Sequence, residues 1–282
     1  MTFRPAKFRP MTPDDRATVV TLLATDPAGT MFPQTNLAGT GVDCDFWISG
    51  SPVSAVLGLS RAARMLLPHG PGSDWSGART ALARQTVAGF AGRPDQVRAL
   101  RAALGLGAVQ ARFDSDEPGY ALDLAALTLP DCTGFTLAPL TAADAPLIHR
   151  WRAAYETEIF ATPPDEAERN ARAAFARWLA ADSHRILRRN GRPVALSGFN
   201  ARLPDTVQIG GVYVPPELRS QGLARRVVGL HLQEAWRQGV TRAVLFAASD
   251  PAERAYRALG FQPAGRFALI LFPKAETVQP CP

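Results

Sequence analysis

The chain has 282 residues, of which 46% are apolar and 20% charged, so it is long enough to bury one large or two ordinary cores and is not a disordered chain. Its formal charge of +6 comes almost entirely from arginine, because Lys7 and Lys274 are the only lysines. The basic stretch 185–192 has no interleaved aromatic side chains on which bases could stack, so we predict that the protein does not bind nucleic acid.

The cysteines and histidines indicate neither disulfide nor metal chemistry. Cys44, Cys132 and Cys281 are odd in number and far apart, which predicts neither a disulfide framework nor a Cys-x-x-Cys site. The four histidines occur without i, i+4 pairs, so we predict no metal site. No apolar run approaches the roughly 18 residues of a membrane span, and the start of the sequence has no signal-peptide core. We therefore expect a cytoplasmic protein with no membrane partner.

The first half of the sequence predicts a unit of strands and helices. Residues 8–15 are typical of a short strand that leads into a capped helix. Residues 87–106 are typical of an apolar strand followed by a helix that ends near a glycine. The segment 129–134 is rich in turn-forming residues, so we predict that it divides the chain into domains 1–130 and 131–282.

The second half repeats these signals in the same order. Residues 137–144 and 244–261 resemble residues 8–15 and 87–106, respectively, so we infer an internal duplication. An Asn-Gly pair at 190–191 lies between two apolar segments and predicts a tight hairpin. The predicted helices are 145–160, 166–181, 222–237 and 250–259, and the predicted strands are 185–189, 194–200, 206–214, 243–248 and 267–272.

The segment after the predicted strand 206–214 has the features of an anion-binding loop. The strand stops at Pro215, and the next helix begins at about Gly222. The first amides of a helix have no intrahelical partner, and together with the helix dipole they attract phosphate groups. Gly222 and Ala224 leave room for the backbone to approach a ligand closely. The sequence therefore predicts a ligand that carries a pyrophosphate.

Two motifs in this order, Arg219-x-x-Gly222-x-Ala224 and Tyr256-x-x-x-Gly260-Phe261, resemble those of the GNAT superfamily of acyl-CoA-dependent N-acyltransferases. The resemblance covers roughly residues 135 to 272. It implies an α/β fold of the α+β type, with two tandem GNAT-like domains that are each a mixed, mainly antiparallel sheet flanked by helices. It also implies a sheet that splays beside the phosphate loop, so that the cofactor and the amine approach from opposite sides.

The resemblance further implies which residues bind acetyl-CoA and which act on it. The loop would hold the pyrophosphate, and backbone amides at the end of the preceding strand would meet the thioester carbonyl. Tyr256 is the expected acid for the departing thiolate. The position of Ser249 and Asp250 is near the place where the family often has an Asn that contacts the pantetheine arm. The predicted cofactor-binding residues are Val212, Tyr213, Val214, Arg219, Ser220, Gln221, Gly222, Leu223, Ala224, Arg225, Ser249 and Asp250.

The general base stays open at this point. The strand 206–211 has no carboxylate, although many family members have a Glu on it. Glu156 and Glu158 belong to the helix that often lines the acceptor pocket in this family, and an ordinary solvated helix face explains them equally well. Glu217 near the loop, or a chain of water molecules, is a further alternative.

The first copy of the duplication lacks the residues of this chemistry. Residues 66–75 stand in the place of the phosphate loop, without the Arg-x-x-Gly-x-Ala signature and with Asp74 in the turn. Arg101 stands opposite Tyr256 when the two copies are matched. We therefore predict that domain 1–130 is degenerate and non-catalytic, and that the second domain alone binds acetyl-CoA.

The leading functional prediction is an N-acetyltransferase that moves an acetyl group from acetyl-CoA to a primary amine of a small molecule or a protein by direct attack. The acceptor is not identified by the residues, and the protein is expected to be a monomer or a homodimer. A tandem aminoacyl transferase of the cell-wall peptide type is one alternative. A non-catalytic acyl-CoA sensor or scaffold is the other, and the missing strand carboxylate favours it.

Overall fold

The computed structural model describes residues 7–281 as a mixed fold of strands and helices. The strands are β1 (Arg9–Pro10), β2 (Cys44–Ser49), β3 (Ala55–Ser60), β4 (Met65–His69), β5 (Thr86–Gly92), β6 (Phe113–Asp123), β7 (Phe135–Pro139), β8 (His184–Arg189), β9 (Arg192–Arg202), β10 (Thr206–Tyr213), β11 (Arg242–Phe246) and β12 (Gln262–Thr277). The α-helices are α1 (Arg16–Ala24), α2 (Met31–Ala38), α3 (Ala78–Ala81), α4 (Pro94–Ala103), α5 (Ala145–Phe160), α6 (Pro164–Ala180), α7 (Leu223–Arg237) and α8 (Asp250–Arg257). Short 3-10 turns lie at Pro13–Asp15, Leu124–Ala126, Ala142–Asp144 and Pro216–Leu218. A helix with the length and apolar character of a membrane span is not found among the described residues.

The chain forms two compact units, and they do not divide at residue 130 as expected. The first unit contains the described residues up to Glu117 and those from Gly265 onward, and the second unit is Pro118–Ala264. Strand pairing explains the difference, because the last part of β6 pairs with β11, and the last part of β12 pairs with β5. Residues 118–130 therefore belong to the second unit, and the C-terminal strand completes the first.

The sheet of the first unit has the order β1-β2-β3-β4-β5-β12. Its neighbouring strands are antiparallel, except that β4 and β5 pair in parallel with Met65 opposite Gly89. The side chains of Leu57, Leu66 and Phe90 from these strands are fully buried in its core.

The sheet of the second unit repeats this plan, with the order β6-β11-β10-β9-β8-β7. Its neighbouring strands are antiparallel, except that β10 and β11 pair in parallel with Thr206 opposite Arg242. A parallel pair needs a crossover connection, and α7 is that crossover. The predicted mixed, mainly antiparallel sheet flanked by helices is confirmed.

One face of α7 packs on this sheet and sets the position of its first turn. Leu223, Val227, Val228, Leu232 and Ala235 are buried, and their successive spacings of four, one, four and three residues place them on one side of a helix. They pack in one cluster with alternate residues of the two parallel strands, which share a sheet face. Those residues are Val207, Ile209, Ala243 and Leu245.

The predicted elements of the second half agree with the structure in type and order. The helix 145–160 has the predicted bounds, and the hairpin forms at Asn190 and Gly191, which both have positive φ. A two-residue turn of this kind requires positive φ at both central residues. Strand β12 begins five residues before the predicted 267–272 and ends five residues after it, and its pairing with β5 continues to Thr277.

Two histidines of the second unit are buried against aromatic rings. His184 stacks on Trp178 at 3.8 Å, and its Nδ1 lies 2.9 Å from the hydroxyl of Ser183. His231 stacks on the ring of Phe199 at 3.8 Å. Burial disfavours the charged imidazolium and lowers the pKa of both histidines well below the ordinary value. Both side chains are therefore neutral in the folded protein at neutral pH.

We expect the free energy of unfolding to fall as the pH drops below about 6.5, the ordinary pKa of histidine. Below that pH the unfolded chain binds protons that the folded His184 and His231 do not, so each lowers stability by up to about 1.4 kcal/mol per pH unit. Glu117 acts with the opposite sign, because burial raises its pKa, and it offsets part of the loss. Guanidinium unfolding between about pH 7.5 and 5 measures the slope.

The variant His231→Gln provides the comparison for this prediction. It removes one titrating group, so its slope of stability against pH should be shallower than that of the wild type, whatever its absolute stability. A wild-type curve that is flat over this pH range would show that the buried histidines do not control acid stability.

Candidate active site

The two parallel strands of the second unit separate after three residue pairs. The pairing of β10 with β11 ends at Gln208 and Val244, although both strands continue. The register between β10 and β9 also shifts between Gly210 and Tyr213, where β10 has one extra residue. Such a bulge takes backbone amides out of the ladder and bends the strand. The result is an opening beside the C-terminal end of β10.

A cavity of about 360 Å³ occupies this opening. It is largely apolar, with polar groups at the loop and on α5, which is the usual character of a small-molecule site. Its lining residues are Tyr155, Glu158, Ile159, Val212, Tyr213, Val214, Leu218, Arg219, Ser220, Gly222, Leu223, Ala224, Arg225, Pro251, Ala252, Ala255 and Tyr256.

The structure brings together most of the predicted site residues. Eleven of the fifteen predicted residues line this cavity, from Val212 on β10 to Tyr256 on α8. The four that do not are Glu156, Gln221, Ser249 and Asp250. Burial raises the pKa of the Tyr213 phenol, which lies on the wall next to α5.

The loop before α7 presents backbone amides to the cavity. Ser220 and Gly222 both have positive φ. Gly222 is the N-cap residue of α7, and because it has no side chain it forms no capping hydrogen bond with the first amides of the helix. The first helical hydrogen bond after the cap runs from the amide of Arg226 to the carbonyl of Gly222 at 3.2 Å. The amides of Leu223 and Ala224 therefore have no intrahelical acceptor and are available to an anion.

The three arginines of the loop region have different surroundings. Arg225 lines the cavity, and its buried Nε has no hydrogen-bond partner among the residues the structure describes. Arg226 turns away, because its Nε donates to the carbonyl of Asp131 at 2.8 Å and its guanidinium lies over the ring of Phe135. Arg219 is engaged with Glu158 on α5. Arg225 is thus the cation of this group that is open to a ligand.

Helix α8 places Tyr256 in the cavity wall. The hydroxyl of Ser249 accepts a hydrogen bond from the amide of Ala252 at 3.4 Å and caps this helix. Tyr256 is 7% exposed and packs against the ring of Phe261 at 6.0 Å. Ser249 and Asp250 are not among the residues that line the cavity, and their predicted contact with the pantetheine arm stays a prediction.

The candidate carboxylates lie on different faces of α5. Glu158 lines the cavity. Glu156 is 6% exposed, forms an ion pair with Arg152 and accepts a hydrogen bond from the hydroxyl of Thr162 at 3.0 Å. The structure therefore does not bring Glu156 to the cavity, because residues two apart on a helix point to opposite sides.

Several lining residues are absent from the predicted set. On α5, Tyr155 lies three residues before Glu158 and four residues before Ile159, so these three lining side chains are on the same side of the helix. Helical spacing around Glu158 was the signal that could have found them. Pro251, Ala252 and Ala255 show no chemical signal, because they contribute only apolar surface.

Metal chemistry has no visible support in this part of the chain. Across residues 7–281, no three His, Cys, Asp or Glu side chains lie together as a metal ion would need. The features that the structure shows at the cavity are helix-start amides and an apolar wall.

Comparison with known proteins finds a family match within the second half of the chain. Residues 146–261 match the Acetyltransferase (GNAT) family, and this range contains every lining residue of the cavity. A search of curated proteins finds no match.

Solved structures show the same fold over nearly the whole chain. A tandem GNAT protein from the clavulanic acid biosynthesis pathway is 17% identical, with a TM-score of 0.58 over 98% of this chain and 100% of that chain. A GCN5-related N-acetyltransferase from Sphaerobacter thermophilus is 18% identical, with a TM-score of 0.58 over 98% of this chain and 96% of its own. A GCN5-related N-acetyltransferase from Kribbella flavida is 18% identical, with a TM-score of 0.55 over 93% and 95%.

Proposed function

We propose that the protein transfers an acetyl group from acetyl-CoA to a primary amine by direct attack, because residues 146–261 match the Acetyltransferase (GNAT) family. The observation that carries the proposal is the cavity at the C-terminal end of β10, lined by the loop before α7, by α5 and by α8, with helix-start amides at the loop and Tyr256 in its wall. The acceptor is a small molecule or a protein amine. We propose that the protein acts in the cytoplasm as a monomer or a homodimer.

Acetyl-CoA fits the distribution of polar groups in the cavity. The loop amides and the guanidinium of Arg225 would hold the pyrophosphate, since charge-assisted hydrogen bonds to phosphate are strong. The pantetheine arm would lie on the apolar surface of Val214, Leu223 and Ala252. The thioester would then reach the bulge of β10, where backbone amides leave the ladder near Val212.

The chemistry follows from the demands of acyl transfer. A neutral amine attacks the thioester carbonyl carbon and forms the C–N bond, and the backbone amides of the bulge stabilise the charge on the carbonyl oxygen. The C–S bond then breaks, and Tyr256 donates its proton to the departing thiolate. The amine loses a proton to solvent, directly or through Glu158 in the cavity wall. Glu156 takes no part in this proposal, because it faces away.

We further propose that the first unit does not bind acetyl-CoA. The amide of Gly70, which follows β4, donates to the side chain of Gln96 at 2.9 Å, so its hydrogen-bonding capacity is used internally. The helix that follows, α3, has only four residues, which is too short to provide a dipole like that of α7. One acetyl-CoA per chain is the expectation.

A non-catalytic acyl-CoA sensor is the second candidate. The observation that favours it is the ion pair of Glu158 with Arg219, because among the described lining residues no carboxylate remains unpaired. A sensor would bind acetyl-CoA and change no bond.

We expect release of free CoA thiol from acetyl-CoA to depend on an added amine. The test uses a panel of primary amines that spans monoamines, polyamines and peptides with free N-termini or lysine. Thiol release is followed spectroscopically, and the acetylated amine is identified by mass spectrometry. The amine must be partly neutral to attack, so the assays are run at about pH 8 and above.

Binding without turnover would separate the two candidates. If acetyl-CoA binds in a calorimetric titration and no amine in the panel accelerates thiol release, the sensor is favoured. If acetyl-CoA does not bind at all, both candidates fail.

A further inference from the structure

Each of the three guanidinium nitrogens of Arg219 donates a hydrogen bond within the protein. Nη1 and Nη2 donate to the two carboxylate oxygens of Glu158 at 2.8 and 2.7 Å, and Nε donates to the carbonyl of Val214 at 3.1 Å. This is the two-pronged geometry in which a guanidinium binds a carboxylate best. The pair connects the C-terminal part of α5 to the segment that follows β10.

Arg225 differs from Arg219 in this respect. Arg225 lines the same cavity, and its buried Nε has no hydrogen-bond partner among the described residues. An unpaired guanidinium nitrogen beside helix-start amides is suited to a phosphate oxygen. Arg219 therefore has a carboxylate partner within the protein, whereas Arg225 has a nitrogen that can bind a ligand.

We propose that Arg219 is a positioning residue for the acceptor side of the cavity, which holds Glu158 and the adjacent wall of α5 in place and does not bind acyl-CoA. The inference rests on the proposed function and adds to it, because it assigns the arginine of the motif to the amine and not to the cofactor. Arg225 and the loop amides then carry the interaction with the phosphates.

The ion pair of Arg219 with Glu158 is attached to the last turn of α5, which forms one wall of the cavity. Glu158 is in the last turn of α5, which ends at Phe160, and the next residue, Ala161, has a positive φ of 50°. Tyr155 and Ile159 belong to the same cavity wall. Without Arg219, this last turn loses its only ion pair to the loop region among the described residues. The acceptor wall would therefore become less ordered, while the start of α7 would stay intact.

The pair is about half exposed, with 42% of the Arg219 side chain and 44% of the Glu158 side chain accessible. Exposed ion pairs contribute little to global stability, so single variants are expected to fold. This makes a double-mutant cycle practicable.

The cycle uses Arg219→Gln, Glu158→Gln and the double variant. Acetyl-CoA affinity is measured by calorimetry, and the KM for amine is measured with the best of three probe amines: tyramine, spermidine and trialanine. We expect the acetyl-CoA Kd to change less than about threefold in all three variants, because the loop amides and Arg225 are untouched. The amine KM should rise about tenfold in each single variant and no further in the double variant, since the two residues act as one unit.

A second readout does not need an acceptor. Amide hydrogen exchange in residues 155–160 should become faster in Arg219→Gln and in Glu158→Gln to the same extent. Arg225→Gln should instead weaken acetyl-CoA binding about tenfold or more and leave exchange in α5 unchanged. Arg61→Gln, which removes an exposed ion pair with Asp45 in the first unit, is the control for the loss of a surface arginine.

The opposite pattern would overturn the proposal. If Arg219→Gln weakens acetyl-CoA binding tenfold and leaves exchange in α5 unaltered, Arg219 is a phosphate ligand. Additive effects of the two single substitutions on the amine KM would show that the residues act separately. Absence of acetyl-CoA binding by the wild type would instead refute the proposed function, and this result is obtained before any variant is made.

Discussion

Tyr256→Phe is expected to lower kcat by about 10²- to 10⁴-fold, the usual contribution of a general acid. The substitution keeps the aromatic ring, so the packing of the side chain against Phe261 is retained and only the hydroxyl is lost. Without the proposed proton donor, CoA must leave as an unprotonated thiolate, which is a poorer leaving group than the thiol. The acetyl-CoA Kd should stay nearly constant, because the loop that is proposed to bind the pyrophosphate is unchanged.

Tyr155→Phe is the matched control for this experiment. Tyr155 is a second tyrosine of the same cavity wall, and it lies on α5 instead of α8. We expect its kcat to stay within a few-fold of the wild type. A kcat for Tyr256→Phe that equals the wild-type value would make water the proton donor and leave Tyr256 with a packing role only.

The local signals of the sequence predicted much of the second unit. The Asn190-Gly191 turn required a tight hairpin, and the structure has positive φ at both residues. The restart of the chain as a helix after Gly222 was also readable, because Gly222 takes a left-handed conformation that few residues adopt at low cost. These features depend on short stretches of sequence, and short-range preferences determine them.

The division of the chain could not be read in the same way. The segment before residue 130 pairs with β11, and the last strand, β12, pairs with β5, which is far away in the sequence. Composition at the turn-rich segment 129–134 indicated a boundary, but hydrogen bonds between distant strands determine which residues form one unit. Propensity contains no information about such pairs.

The candidate site has one feature that the sequence could have predicted and one that it could not. Glu156 and Glu158 were equivalent candidates, and helical geometry separates them, because only one of the two can face the cavity. That distinction was available from spacing alone once a neighbour such as Tyr155 was assigned to the wall. The ion pair of Glu158 with Arg219 joins residues 61 positions apart, and neither side chain signals its partner in the sequence.

Gly222→Glu is expected to abolish acetyl-CoA binding. Gly222 has a φ of 69°, where any other residue is strained, and a Cβ placed there would lie 2.9 Å from Nη1 of Arg226. The new carboxylate would also bring a negative charge to the loop where the pyrophosphate is proposed to bind. Like charges brought together cost several kcal/mol, so we expect affinity to fall by at least about 100-fold.

Gly222→Ala separates the two contributions. It introduces the backbone strain at positive φ without the charge, so its affinity should lie between those of the wild type and Gly222→Glu. Circular dichroism of both variants checks that α7 still forms.

Calorimetric titration of acetyl-CoA into the wild type and Gly222→Glu tests the central claim most directly, namely that the chain has one acyl-CoA site and that the loop of the second unit forms it. The wild type should bind one acetyl-CoA per chain, and Gly222→Glu should give no measurable binding heat at the same concentrations. Unchanged affinity in Gly222→Glu, or two equivalent sites per wild-type chain, would contradict it.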